Sequence, residues 1–381
     1  MNTNAHTTPL SEIIDQIGPG FAEKAPHNDA TDTFVSENFE VLKQHKMFSA
    51  MIPAELGGGG VSYSDFCDAI RQLGTYCGPT ALTLSMHSHL TAAAIFNYNN
   101  GKPTEGLLRK IAENQLVLIS TGATDWLSSN GESKKTDGGY LVSGTKYFSS
   151  GCLAGDFLVT TAPYDDPDEG SVVMHFPVSL NGDGVSIDEN WQAMGMRSTG
   201  SHAVILKDVF VPEESVVLKR PRGVYHPVWN IVLTLALPLI MSAYTGVAEA
   251  AAQMARRGAA KKQDDPVLPF LMGEMENALT TVQIAQRSMV DIADDFNFSP
   301  TNETANEIVK RKSIAVNAVI GTTLKALESS GGPGYIRTFN MERLVRDSLA
   351  CQFHPMQEKR QHLFTGRMSL GLDPVEPLKN E

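Results

Sequence analysis

Between Leu116 and Val217 the chain carries short β-branched and aromatic runs broken by tight-turn dipeptides, and long helical patterns lie on either side. The runs are Tyr140–Val142, Tyr147–Ser149, Phe157–Thr161, Val172–Val178 and Ala203–Leu206, and Asp-Gly, Gly-Gly and Ser-Gly pairs punctuate them. Such pairs supply the positive φ that short hairpin turns require, so the stretch predicts an antiparallel sheet or barrel. An all-β insert of about a hundred residues between two helical regions is an uncommon arrangement and narrows the choice of fold sharply.

Upstream, Ser11-Glu12 opens one helix, and Phe34–Met47, with Phe39, Leu42 and Met47 at helical spacing, predicts another. Asp65–Tyr76 and Pro79–Tyr98 follow, the latter with a proline suited to a first helical position. Gly57–Gly60 lacks the Lys-Ser/Thr that a phosphate loop needs and is expected to be a flexible turn. Downstream, Tyr225–Arg257 predicts a helix broken or tilted near Pro227 and Pro238, and Pro266–Phe298 predicts a second. Ser299-Pro300 supplies the cap of a third, which carries Val309, Val316, Ile320, Leu324 and Leu327 on one stripe and ends near Ser330 at Gly331–Gly334. Arg343–Phe353 and Met356–Leu370 complete an up-and-down bundle. The expected fold is therefore α+β in three domains: helical residues 1–115, antiparallel β residues 116–219, and a helical bundle over residues 220–381.

A net charge of −12 on 381 residues argues against nucleic acid or an anionic membrane as partner. It leaves room for an anionic small molecule held by local arginines or helix N-termini. The N-terminal MNTNAHTTPLSEII has neither the basic start nor the apolar core of a secretory signal, and Val228–Ala243 is interrupted by Asn230, Thr234 and Pro238. Cys67, Cys77, Cys152 and Cys351 show no metal-ligand spacing, so free thiols in a cytoplasmic protein are expected. His87 and His89 stand two apart on a helix and point to different faces, so no metal pair is expected there.

Several motifs resemble those of the acyl-CoA dehydrogenase superfamily of flavoproteins, in order along nearly the whole chain. Thr121-Gly122-Ala123-Thr124-Asp125 resembles a shortened form of its Thr-Glu-Pro-x-x-Gly-Ser-Asp loop. Gly139-Tyr140 through Gly144-Thr145-Lys146-Tyr147-Phe148-Ser149-Ser150-Gly151 resembles a strand pair of its β domain. Met194–Ser201 running into Asp208–Pro212 resembles the exit from that domain, and Ser330–Tyr335 followed by Glu342-Arg343 and Arg346-Asp347 resembles its last bundle motif. The resemblance implies FAD as cofactor, with FMN open, because the Arg-x-x-Phe and downstream Gln that usually accompany FAD are incomplete around Arg256-Arg257. It implies Thr121, Gly122 and Ser150 as donors at the flavin edge and Phe148 as a wall against the ring. Arg257 and the Gly331, Gly332 and Gly334 loop would meet the adenosine half of a flavin held largely by a neighbouring subunit, which implies a homodimer or homotetramer.

Acyl-CoA dehydrogenases use a glutamate as the base that removes the α-proton of the thioester. Here the corresponding position is Pro355, preceded by His354, and the alternative position near Leu235–Leu237 holds no acid either. His354-Pro355 resembles the flavin-dependent monooxygenase branch of the same fold. That resemblance implies an oxygenase acting on a small molecule, with reduced flavin from a reductase, and His354 working beside His87 or His89. The alternatives are an acyl-CoA dehydrogenase with a non-standard base, served by an electron-transfer flavoprotein, and a non-catalytic flavin or acyl-thioester scaffold.

Overall fold

The computed structural model describes residues 8–121, 126–261 and 264–376. Five helices come first: α1 (Leu10–Ala30), α2 (Ser36–Gln44), α3 (Tyr63–Tyr76), α4 (Gly78–Asn99) and α5 (Glu105–Asn114). In α1 the buried side chains are Leu10, Ile13, Ile14, Ile17 and Phe21, the spacing of one helical face. In contrast, α4 is buried on nearly every side. Its hydroxyls are satisfied within the helix: Thr83 donates to Pro79 O at 2.8 Å, Ser85 to Leu82 O at 2.7 Å and Ser88 to Leu84 O at 2.6 Å.

The middle of the chain forms two four-stranded sheets, one in the order β1 (Leu118–Ser120), β4 (Phe157–Asp166), β5 (Gly170–Ser179), β8 (Leu218–Pro221). The other runs β2 (Glu132–Thr136), β3 (Gly139–Lys146), β7 (Ala203–Pro212), β6 (Val185–Asp188). The hairpin expectation holds for β2/β3 and β4/β5, which pair as direct antiparallel neighbours. Two details differ from it. β1 lies parallel to β4, Leu118 opposite Phe157. Tyr147–Ser149 is not a strand: β3 ends at Lys146, Phe148 takes a φ of 59°, and Ser149 N–H donates to His202 O at 3.1 Å.

The bundle is α6 (Val228–Ala259), α7 (Leu268–Ala293), α8 (Asn302–Ser330), α9 (Met341–Leu349) and α10 (Glu358–Ser369). Contrary to expectation, α6 runs unbroken through Pro238. The proline removes one backbone bond, but 89% of the most apolar window of α6 is buried, so packing keeps the helix continuous. Among the described residues α6 is the one helix long and apolar enough to cross a membrane, and here it is the core of the bundle. It crosses α3 at Gly74 and Gly246, where a methyl on either would overlap the other helix's backbone. The cap of α8 is Thr301 rather than Ser299, its hydroxyl accepting from Thr304 N–H at 3.2 Å.

A clasp holds the sheets to the helices. Arg346 of α9 donates to Asp29 of α1 at 2.6 Å and to Met194 O at 3.0 Å, and it pairs with Glu342. Next to it, Asp347 Oδ1 accepts from Met196 N–H at 2.5 Å, while Arg197 pairs with Asp32 just after α1. Residue 195 must be glycine, because a methyl there would land on the Arg346 carbonyl.

Candidate active site

His354 sits in the irregular turn between α9 and α10, and three elements of the bundle fix it. The buried phenol of Tyr244 on α6 meets His354 Nε2 at 2.8 Å, the rings 5.5 Å apart at 63°. The buried Lys312 on α8 donates to His354 O at 2.9 Å and Met356 O at 3.1 Å. Among the described residues Tyr244 O–H has no other acceptor, so the arrangement that satisfies it is donation to Nε2, with the ring's own proton on Nδ1. Burial, the Lys312 charge and nearby His89 push His354 down to about 3, so the imidazole is neutral at pH 7.

Of the two expected companions, the structure brings His89 close enough to affect the charge of His354. Burial lowers His89 to about 4, and its Nδ1 lies 3.4 Å from Ser85 O. His87 is engaged elsewhere. Its Nδ1 accepts from Leu118 N–H at 3.0 Å and its Nε2 meets Phe48 O at 2.8 Å, with the Thr91 hydroxyl at 3.1 Å. That imidazole ties α4 to the first strand of the sheets and has no ring nitrogen to spare for chemistry.

Thr121 follows the end of β1 in one sheet, and Phe148 and Ser150 follow the end of β3 in the other. The Thr121 hydroxyl is 2.7 Å from that of Thr160, and Ser150 is 2.7 Å from Ser201, which in turn meets Thr199 at 2.7 Å. Each hydroxyl keeps further hydrogen-bonding capacity for a ligand. Phe148 is 51% exposed although large and apolar, and a bulky residue at positive φ signals a backbone held there by its surroundings. Its ring stands edge-on to Trp191 at 6.1 Å, and Trp191 is anchored through Nε1–H to Met196 O at 3.2 Å. An exposed aromatic face with the Ser150 hydroxyl two residues on suits a flat, polar-edged ring such as isoalloxazine. Gly122 lies outside the described residues.

Arg257 is exposed at the end of α6, next to Arg256, which pairs with Glu276 at 2.6 Å. Gly331 has a φ of 64° and ends α8, Gly332 opens the following turn, and Gly334 packs on Ser330 and Leu327 of the last turn of α8. No hydrogen bond joins these four to Thr121, Ser150 or Phe148 among the described residues. Beside them Tyr335 is 82% exposed and Ile336 57%.

The model of the acyl-CoA dehydrogenase N-terminal domain matches residues 19–115, and that of the acyl-CoA dehydrogenase C-terminal domain matches residues 233–359. The chain belongs to the acyl-CoA dehydrogenase superfamily. The YdbM protein of Bacillus subtilis, named provisionally as an acyl-CoA dehydrogenase, is 27% identical, covering 90% of this chain and 92% of its own. The flavin-dependent monooxygenase oxygenase subunit HsaA of Rhodococcus jostii is 24% identical, covering 94% and 97%. Among solved structures, the nitrososynthase of Micromonospora carbonacea superposes with a TM-score of 0.87 at 22% identity, over 97% and 99% of the two chains. Other solved structures of the fold hold FMN or FADH2. The superfamily is one of flavin-dependent oxidoreductases, and flavin is its cofactor class.

Two residues of this superfamily member were not singled out from sequence. Tyr244 is a phenol in the apolar run LPLIMSAYTGVAEAA, and a buried phenol needs a partner. Lys312 is the last of three consecutive cations, and it lies three residues after Val309 and four before Val316, on the buried stripe of α8.

Proposed function

We propose that this superfamily member is an oxygenase that uses reduced flavin and O₂ on a small-molecule substrate, with His354 as the acting residue. The observation that carries this reading is the His354–Tyr244 pair where a dehydrogenase would present its base. The nearby carboxylates are otherwise engaged: Glu358 pairs with Lys359 and accepts from Asn317 at 3.2 Å, and Asp347 is buried against Met196 N–H. The second base position of the family is filled by the buried Leu235 and Leu237. A dehydrogenase needs a positioned base for α-proton removal, and general-base catalysis is worth roughly a hundred- to ten-thousand-fold.

When bound, the flavin supplies the two-electron chemistry with O₂. The protein's part is to hold and shield it. Thr121 and Ser150 would donate to the polar edge of the ring and Phe148 would cover one face. His354, neutral with its proton on Nδ1, offers a donor that favours negative charge developing on oxygen. His89, also neutral, is the second histidine whose charge state His354 senses.

One relative is an oxygenase subunit of a flavin-dependent monooxygenase, which suits a separate reductase as the supplier of electrons. The exposed Tyr335 and Ile336 beside the Gly331–Gly334 turn suit a homodimer or homotetramer in which that turn meets a flavin of the neighbouring subunit.

The test is made with the flavin-loaded protein. With an external reductase, the protein should consume O₂ with transfer of oxygen to the substrate, and His354→Ala should divert at least about tenfold more of that oxygen to hydrogen peroxide while retaining flavin. Rapid bleaching of the flavin by a simple acyl-CoA without oxygen would refute the oxygenase reading and favour a dehydrogenase.

A further inference from the structure

The turn that carries His354 has no regular structure of its own, yet a single buried side chain holds it at two points. Lys312 is 1% exposed and spends two of its three N–H donors on the carbonyls of His354 and Met356, at 2.9 and 3.1 Å. A buried ammonium is costly unless something requires it. Leucine or methionine at this point of the α8 stripe would fill the same space without that cost.

We propose that Lys312 is the positioning residue of His354: its ammonium ties down the main chain at the histidine's own carbonyl and again two residues further on, and sets a positive charge at that turn. Two effects follow, given His354 as the acting residue proposed above. The carbonyl anchors hold the imidazole against Tyr244, so that the phenol fixes the tautomer that leaves the proton on Nδ1. The charge adds to burial in disfavouring a second proton on the ring, so His354 stays a neutral donor throughout the neutral range.

The charged and titratable groups around the ring are few. Tyr244 comes from α6, His89 from α4, Lys312 from α8 and Glu358 from α10, with Cys351 in the preceding turn and Asp347 on α9 acting on Tyr244. After burial, Lys312 is the largest influence lowering the proton affinity of His354. Burial also lowers Lys312 itself, to about 8, so the ammonium persists through the neutral range and is lost in mild alkali.

The test reads the protonation of His354 directly, by NMR of protein carrying ¹³C at histidine Cε1, with His354→Gln assigning the signal. In the unmutated protein the signal should stay that of a neutral ring down to about pH 4 and carry a small inflection near pH 8 as Lys312 titrates. In Lys312→Met the titration point should rise by about one pH unit or more, while Lys312→Arg should keep it in place. A Lys312→Met protein that is folded but less stable, with an unmoved titration point, would show a merely structural lysine and overturn the proposal. Where that variant does not fold, Lys312→Gln takes its place. Where neither folds, the unmutated protein decides, and a His354 signal with no inflection near pH 8 overturns it. Absence of oxygen transfer by the unmutated enzyme would sink the oxygenase reading without touching this result.

Discussion

Asp347 offers a quantitative check on how the sheets are clasped to the bundle. Its carboxyl is 1% exposed, with one oxygen on Met196 N–H at 2.5 Å and the other 3.7 Å from Arg343 without a hydrogen bond. Burial raises it from an ordinary 3.8 to about 6, against the smaller lowering effect of Arg343. The folded pKa lies above the unfolded one, so its contribution to stability is complete below about pH 4 and is lost as pH rises through 6. At about 1.4 kcal/mol per pH unit, ionised Asp347 costs the folded chain about 3 kcal/mol above pH 7. Asp347→Asn keeps an acceptor for Met196 N–H and cannot ionise. Whatever constant offset the loss of charge beside Arg343 introduces, the stability difference between variant and parent should move by about 2 kcal/mol in favour of asparagine between pH 4.5 and 7.5. Urea unfolding at fixed protein concentration and both pH values measures it. Parallel pH dependences for the two proteins would mean that Asp347 is not held in the low-dielectric contact described here.

Gly195→Ala should cost about 1–3 kcal/mol and lower the melting temperature by a few degrees, because its methyl would push the 194–197 loop off α9; an unchanged melting curve would contradict the close approach seen there. Phe148→Ala and Ser150→Ala should each weaken flavin retention by about five- to tenfold, measured by fluorescence titration of the stripped protein, whereas Cys351→Ser should not. Equal retention in all three would mean that the ring binds elsewhere.

The order of helices, sheets and bundle was legible in the sequence because it rests on local periodicity and turn chemistry. The spacing of Phe39 and Leu42, the Asp-Gly pair before β3 and the stripe from Val309 to Leu327 each rest on neighbours a few residues apart in the chain. Sequence also showed what was missing, since no acid stands at Pro355 or at Leu235–Leu237. It misjudged Pro238 and Tyr147–Ser149 because local propensity opposed the outcome: burial overrode the proline, and contacts with residues 199–202 turned the chain after Lys146. Only the tertiary structure distinguished His87 from His89, two neighbours of the same type, by wedging one between Phe48 and Leu118 and leaving the other with a single weak contact to Ser85 O. Tyr244 and Lys312 meet His354 from positions 110 and 42 residues away, and no local pattern encodes contacts at such separations. The type of each side chain is written locally, but its partner is chosen by how the helices cross, and the close passage at Gly74 and Gly246 helps to set that crossing.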